Sequence, residues 1–357
     1  MNWELEANVL IAEYPPFRPL TGMKSPHLQT VGAFFLRGKR IKYRAVKYSV
    51  NLWDGDQLVI HDDQPVEWIT GDRIAILFHG LCGCHGSPYM VRLTDKLKKH
   101  GIRVIRVDMR GFGDSKLVSK SHLHGGNYRD VVSVINFVRQ LSPISKISLV
   151  GFSVGGNIIL RTIGMWGDQH PIEVDSAIAV SPPVDLLMCA TNIRQFGNRI
   201  YEKYFMTRMN AHLSERRRKV KGLVDSGVSP LPDRLIHFDD RFTAPCWGYS
   251  GVLDYYADAM AGPVLDQVAI PTIILTAEDD PIVPFEMYSN FPMSNFIEMA
   301  VTRHGGHLGF LANSRDPDPH WMDWRICKWV TEMDHQFFEG RSNSDAKGSK
   351  LFSGVTT

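Results

Sequence analysis

The chain has 357 residues, 44% hydrophobic and 10% aromatic, enough to bury the core of one large α/β domain or two small ones. Its 40 Lys and Arg nearly balance 38 Asp and Glu, a net charge of +2 that gives no global electrostatic basis for nucleic-acid binding. Five cysteines without framework spacing argue against a disulfide scaffold, and no run approaches the ~20 apolar residues of a membrane span.

The N-terminus is acidic and lacks the basic region and long apolar run of a signal peptide, so a cytoplasmic protein without stable membrane insertion is expected. Residues 13–37 carry Pro15, Pro16, Pro19 and Pro26 and end in His27-Leu28-Gln29-Thr30. They read as part of a lead-in, residues 1–40, that wraps the core and holds a short helix near Gln29. Alternation of apolar and polar residues over 41–50 and 57–61 predicts an antiparallel edge hairpin.

Five short apolar runs follow, at 74–79, 102–107, 146–150, 177–180 and 272–275. Near-continuous hydrophobicity marks strands covered on both faces. Helical periodicity lies between them at 89–100, 128–141 and 158–165, and the alternation predicts a mostly parallel sheet with its ligand site at the strands' carboxyl ends.

The chemical motifs fall at those ends. His79-Gly80-Leu81-Cys82-Gly83 is a glycine-rich loop able to point a backbone amide inward, with Cys82 and Cys84 as small loop residues. Asp108 and Arg110 are expected to pair and brace their own loop. His122 and His124 form a H-x-H without a completing ligand, so no metal is expected. Gly151-Phe152-Ser153-Val154-Gly155 joins a strand to a helix so sharply that the serine takes a strained backbone and bulk two residues either side would clash.

About ninety residues separate the runs at 177–180 and 272–275, and 187–268 reads as an inserted cap rich in aromatics, Trp247 and Tyr249 among them. Its basic run Arg216-Arg217-Arg218-Lys219 reads as a solvated helix face. Beyond it come Asp279-Asp280-Pro281 and His304-Gly305-Gly306-His307. An amphipathic helix over 321–338 and a Ser/Gly/Lys-rich tail, 340–357, end the chain.

Serine, acid and histidine in that chain order describe a nucleophile, an orienting carboxylate and a general base. Ser153, Asp280 and His307 are the candidates, with Asp279 in reserve for Asp280 and His304 second to His307. The amides of Leu81 and Val154 are candidates for an oxyanion hole, and Gly80, Phe152, Trp247 and Tyr249 for the substrate pocket.

On these motifs the chain resembles the α/β-hydrolases. It is similar more narrowly to the YheT-like subgroup, with its plant embryogenesis-associated and animal abhydrolase-domain relatives. His27-Leu28-Gln29-Thr30, His79-Gly80-Leu81 with Gly83 and later Tyr89, Gly151 to Asn157, Asp279-Asp280-Pro281, Gly305 to Phe310 and the cap segment Phe238-Asp239-Asp240 through Tyr255-Tyr256 carry the narrower likeness. The resemblance implies an eight-stranded sheet flanked by helices, a core of 41–186 and 269–339, and an inserted helical cap. It also implies cofactor-free hydrolysis of carboxylic esters, short- to medium-chain or lipid-like, through an acyl-enzyme. The alternatives are acyl transfer on the same triad and a non-catalytic ligand-binding role.

Overall fold

The computed structural model describes residues 16–36 and 44–333. Eight strands, β1 (Val46–Asn51), β2 (Gln57–Asp63), β3 (Ile74–Phe78), β4 (Arg103–Asp108), β5 (Ile147–Phe152), β6 (Val174–Val180), β7 (Thr272–Ala277) and β8 (Ile297–Thr302), form one sheet. Its order is β1-β2-β4-β3-β5-β6-β7-β8, parallel throughout except β2, which is antiparallel to both neighbours. Among the described residues the helices of eight or more residues, together with the seven-residue α5, are α1 (Pro26–Phe35), α2 (Pro88–Lys99), α3 (Tyr128–Leu141), α4 (Val154–Trp166), α5 (Leu186–Asn192), α6 (Arg199–Lys219), α7 (Val252–Ala259) and α8 (321–333).

Strand β3 shows how the layers stack. Its Ile74, Ile76 and Phe78 join a core with Val131, Val134 and Val138 of α3, while Ala75 and Leu77 face Met90, Leu93 and Leu97 of α2 with Trp329 and Val330 of α8. Side chains alternate along a strand, so a run apolar at every position requires helices on both faces.

β2 runs two residues past its expected end, through the buried Asp62 and Asp63. β4 supplies their partners: Arg103 Nε lies 2.9 Å from Asp62 Oδ1, and Arg106 Nε 2.9 Å from Asp63 Oδ2. Paired in this way, the carboxylates escape the cost of burying a lone charge. The start of the predicted hairpin, 41–43, the end of the closing helix and the tail lie outside the described residues.

Two expectations are corrected. Asp108 and Arg110 do not pair with each other. Arg110 donates to Asp130, Asp54 and Asp56, whereas Asp108 turns toward His61 and His85. Arg216 is not on a solvated face but fully buried, because that side of α6 packs onto the 116–122 loop. There Nη2 donates to Ser119 O and Ser121 O at 2.8 Å each, and Nη1 to His122 Nδ1 at 3.0 Å. Carbonyls thus replace water around the guanidinium.

Residues of the segment between β6 and β7, called the cap below, line cavities at Ser153, just past the carboxyl end of β5. Asn157, one turn into α4, ties it down: its Nδ2 donates to Gly125 O and Ala259 O, and its Oδ1 accepts from Ala261 N.

Candidate active site

Two glycines dictate the turn after β5. Ser153 sits at φ 51° and ψ −123°, a conformation that L-residues avoid. A Cβ on Gly151 would lie 2.4 Å from Gly155 O, and one on Gly155 2.5 Å from Phe78 O, so neither position has room for a side chain.

His307 rides on the loop after β8. Its amide donates to Thr30 Oγ1 at 2.9 Å, which in turn donates to Pro26 O at 2.8 Å, so α1 positions the loop. Gly306, at φ 55°, packs so closely on α1 that a Cβ would lie 2.4 Å from Pro26 O. The His307 ring bridges two groups, with Nδ1 2.8 Å from Asp280 Oδ2 and Nε2 3.0 Å from Ser153 Oγ. Asp280 Oδ1 accepts from the amides of Ile282 and Val283, at 2.9 Å each. That leaves Oδ2 to accept from Nδ1, so Nε2 presents its lone pair to the serine hydroxyl. Asp279 and His304 form a separate pair at 3.2 Å, and Asp279 also accepts from Gly306 N, which shapes the loop.

Across the elbow, His79 fixes the glycine-rich loop. Met109 N donates to its Nε2 at 3.1 Å, so the proton sits on Nδ1 and is donated to Gly80 O at 2.8 Å. Burial lowers the His79 pKa and keeps the ring neutral. Gly80 N donates to the Tyr89 hydroxyl, and Gly83 N to Gly80 O, both at 2.9 Å. The loop lies against the elbow, since a Cβ on Gly80 would be 3.2 Å from Ser153 Cβ. Among the described residues the amides of Leu81 and Val154 donate to no group of the chain.

A family profile described as the alpha/beta hydrolase fold matches residues 76–314. The chain belongs to that family. It is 28% identical to YheT of Escherichia coli (strain K12) over 88% of this chain and 93% of that one. It is 26% identical to human phospholipase ABHD3 over 72% of this chain and 63% of that one. Est1E of Butyrivibrio proteoclasticus, solved with ferulic acid bound, has the same fold, with a TM-score of 0.54 at 17% identity over 80% of this chain and 98% of that one.

In this α/β-hydrolase two cavities meet at Ser153, and both are lined by Leu81 and Phe205. The larger, 460 Å³, passes His307, Gly80, Thr30, Tyr89 and Tyr204. The smaller, 110 Å³, lies under the cap, past Val154, Leu123, Met209 and Asp239. Burial raises the Asp239 pKa to about 6, although Thr243 Oγ1 and the Tyr256 hydroxyl both donate to it.

Three residues expected in the pocket line neither cavity. Phe152 is fully buried against the Tyr89 ring. Trp247 packs on His124 and Arg110, and the Tyr249 hydroxyl donates to Asp258. Their stretch of the cap faces the loop around His124 and turns away from the serine. Thr30, Tyr89 and Asn157 received no role from the sequence. Signals were present in the His-Leu-Gln-Thr motif, in a tyrosine nine residues past the glycine loop, and in an asparagine one turn into an apolar helix.

His61, His85, Asp108 and Asp114 bring ligand atoms within 4.8 Å of one another. The two imidazoles stack with centroids 3.6 Å apart and planes 20° from parallel. Each ring turns a nitrogen onto Asp108 Oδ2, His61 Nε2 at 3.0 Å and His85 Nδ1 at 2.7 Å, so hydrogen bonds within the chain hold the group together.

Proposed function

We propose that this carboxylic ester hydrolase works through an acyl-enzyme on Ser153. His307 takes the serine proton as Oγ attacks the ester carbonyl, while Asp280 holds the tautomer and stabilises the imidazolium. The amides of Leu81 and Val154 receive the oxyanion. His307 then protonates the departing alcohol and activates the water that releases the acid. The observation that carries this reading is the unbroken line from Asp280 through His307 to Ser153, ending at a cavity.

The cavities support an orientation for the ester. The leaving oxygen must reach His307, which lines the 460 Å³ cavity and not the 110 Å³ one, so the alcohol occupies the larger and the acyl chain the smaller. A volume of 110 Å³ is less than the roughly 150 Å³ cavity that admits benzene, which suits acyl chains of up to about five carbons.

Labelling by a fluorophosphonate probe tests the reading, wild type beside Ser153→Ala. The wild type is expected to label and the variant not, with kcat/KM for p-nitrophenyl esters falling by about 10⁴-fold or more. Within the ester series kcat/KM should drop beyond about five acyl carbons. Labelling that survives the substitution would refute Ser153 as nucleophile.

A further inference from the structure

We infer that the mouth of the larger cavity docks onto an anionic lipid bilayer. On one side of that cavity α1 presents Leu28, Val31 and Phe35, exposed and spaced i, i+3, i+7 on one helical face, with Phe35 71% exposed. On the other side the turn leading into α6 presents Phe196, 93% exposed, and the first turn of α6 presents Ile200, 65% exposed. The two segments touch through His27 and Tyr201, whose Nδ1 and hydroxyl are 2.9 Å apart. Thr30 and Ala33 of α1 and Tyr204 and Arg208 of α6 line the cavity itself, so the apolar residues flank its opening. Isolated exposed apolar side chains are ordinary, but two rows of them beside a cavity mark an interaction surface.

Charge selects the partner. Residues 16–36 contain no Asp or Glu, and the only acid within 193–213 is Glu202, which is buried with its carboxylate accepting from Leu235 N. The same segments expose Lys24, Arg194, Arg199, Lys203 and Arg208, none of them in an ion pair among the described residues. Here a chain of near-zero net charge therefore carries an apolar ridge in a cationic collar. A second copy docked symmetrically would set this collar against itself, whereas an anionic bilayer offers hydrocarbon to the ridge and phosphate to the collar. Among the described residues no helix is long and apolar enough to cross a membrane, so the contact is peripheral. Binding does not depend on the esterase reading; delivery of an ester from the bilayer into the cavity rests on it.

Vesicle flotation of the full chain tests this, comparing pure phosphatidylcholine with vesicles holding about 30% phosphatidylglycerol. Partitioning into the anionic vesicles should be at least about tenfold greater and should weaken as salt is raised. The double variant Phe196→Asp, Ile200→Asp and the double variant Arg199→Glu, Lys203→Glu should each lose about tenfold or more of that binding. Neither touches the line from Asp280 to Ser153, so hydrolysis of a short water-soluble ester should stay unchanged. The inference is overturned by equal binding to both vesicle types, by no flotation, or by variants that bind like wild type. A concentration-dependent dimer that the same variants abolish, without vesicle binding, also overturns it. Vesicle binding by a protein inert toward every ester would sink the esterase reading and leave the docking surface standing.

Discussion

Asp108 ends β4 and Asp280 follows β7, and both are buried carboxylates with imidazole against them at the same end of one sheet. Around Asp108 four donors converge. His61 and His85 reach Oδ2 at 3.0 and 2.7 Å, the Asp114 amide also donates to Oδ2, and the His85 amide donates to Oδ1. Burial pushes this carboxyl up, but the bonds from His61 and His85 outweigh it and hold the pKa well below the usual carboxylate range. Around Asp280 the chain of bonds has an open end: two amides and one imidazole, then a serine hydroxyl facing a cavity. The same side chains are turned inward on the chain around Asp108, and on the proposed mechanism the line from Asp280 leaves its last member for a substrate.

The largest effect expected is on turnover. Asp280→Asn should lower kcat by about 10⁴-fold with little change in Tm, because it offers Nδ1 the wrong partner. Asp279→Asn should cost less than about tenfold, since its histidine points away from Ser153. Steady-state kinetics on both variants would break the comparison if their effects were equal.

Asp108→Asn should show the opposite profile, with stability lowered by about 3 kcal/mol or more and activity per folded molecule retained. Denaturant unfolding beside active-site titration separates the two. A stable but inactive Asp108→Asn would put Asp108 in the chemistry.

A smaller effect lies in pH. Burial lowers the pKa values of His79, His122 and His124, the last to about 4, so these rings stay neutral when folded and bind protons on unfolding. Stability is therefore lost as pH falls below about 6.5, the unfolded value. Asp239, raised to about 6, opposes this, because the folded chain holds its proton above the unfolded carboxyl pKa. Burial lowers His212 as well, and raises Asp130 and Glu298 as it does Asp239; the unfolded imidazoles take up protons first, from about pH 6.5, so stability falls on the acid side of neutrality. Thermal melts between about pH 7 and 5 would show it, and a flat profile would contradict it.

The smallest effect concerns α1. Thr30→Val removes the acceptor for His307 N and should lower kcat by about tenfold, with Thr30→Ser restoring it. A change confined to Tm would make the contact merely structural.

The elbow was legible because backbone geometry writes itself into sequence: only glycine fits where carbonyls stand 2.4 and 2.5 Å from a would-be Cβ. Strands covered on both faces were legible as unbroken apolar runs. The choice between Asp279 and Asp280 was not, since adjacent residues on a loop point differently for reasons set by amides elsewhere. Trp247 and Tyr249 went astray because an aromatic in a cap announces burial without naming its neighbour. Arg216 looked solvated inside a run of four basic residues, and only tertiary packing reveals the carbonyls that receive it. Thr30 acts on a residue 277 positions away, a distance at which a single sequence holds no pairing signal.

The shared corner of the two cavities has a consequence for the order of events. On the proposed orientation, once the alcohol departs the acyl group remains under the cap and the larger chamber empties. Whatever next comes through that doorway meets the acylated serine. Water arriving there yields an acid, and another alcohol yields a new ester. The division between hydrolysis and transfer then becomes a matter of traffic, decided by which visitor is more abundant at one entrance.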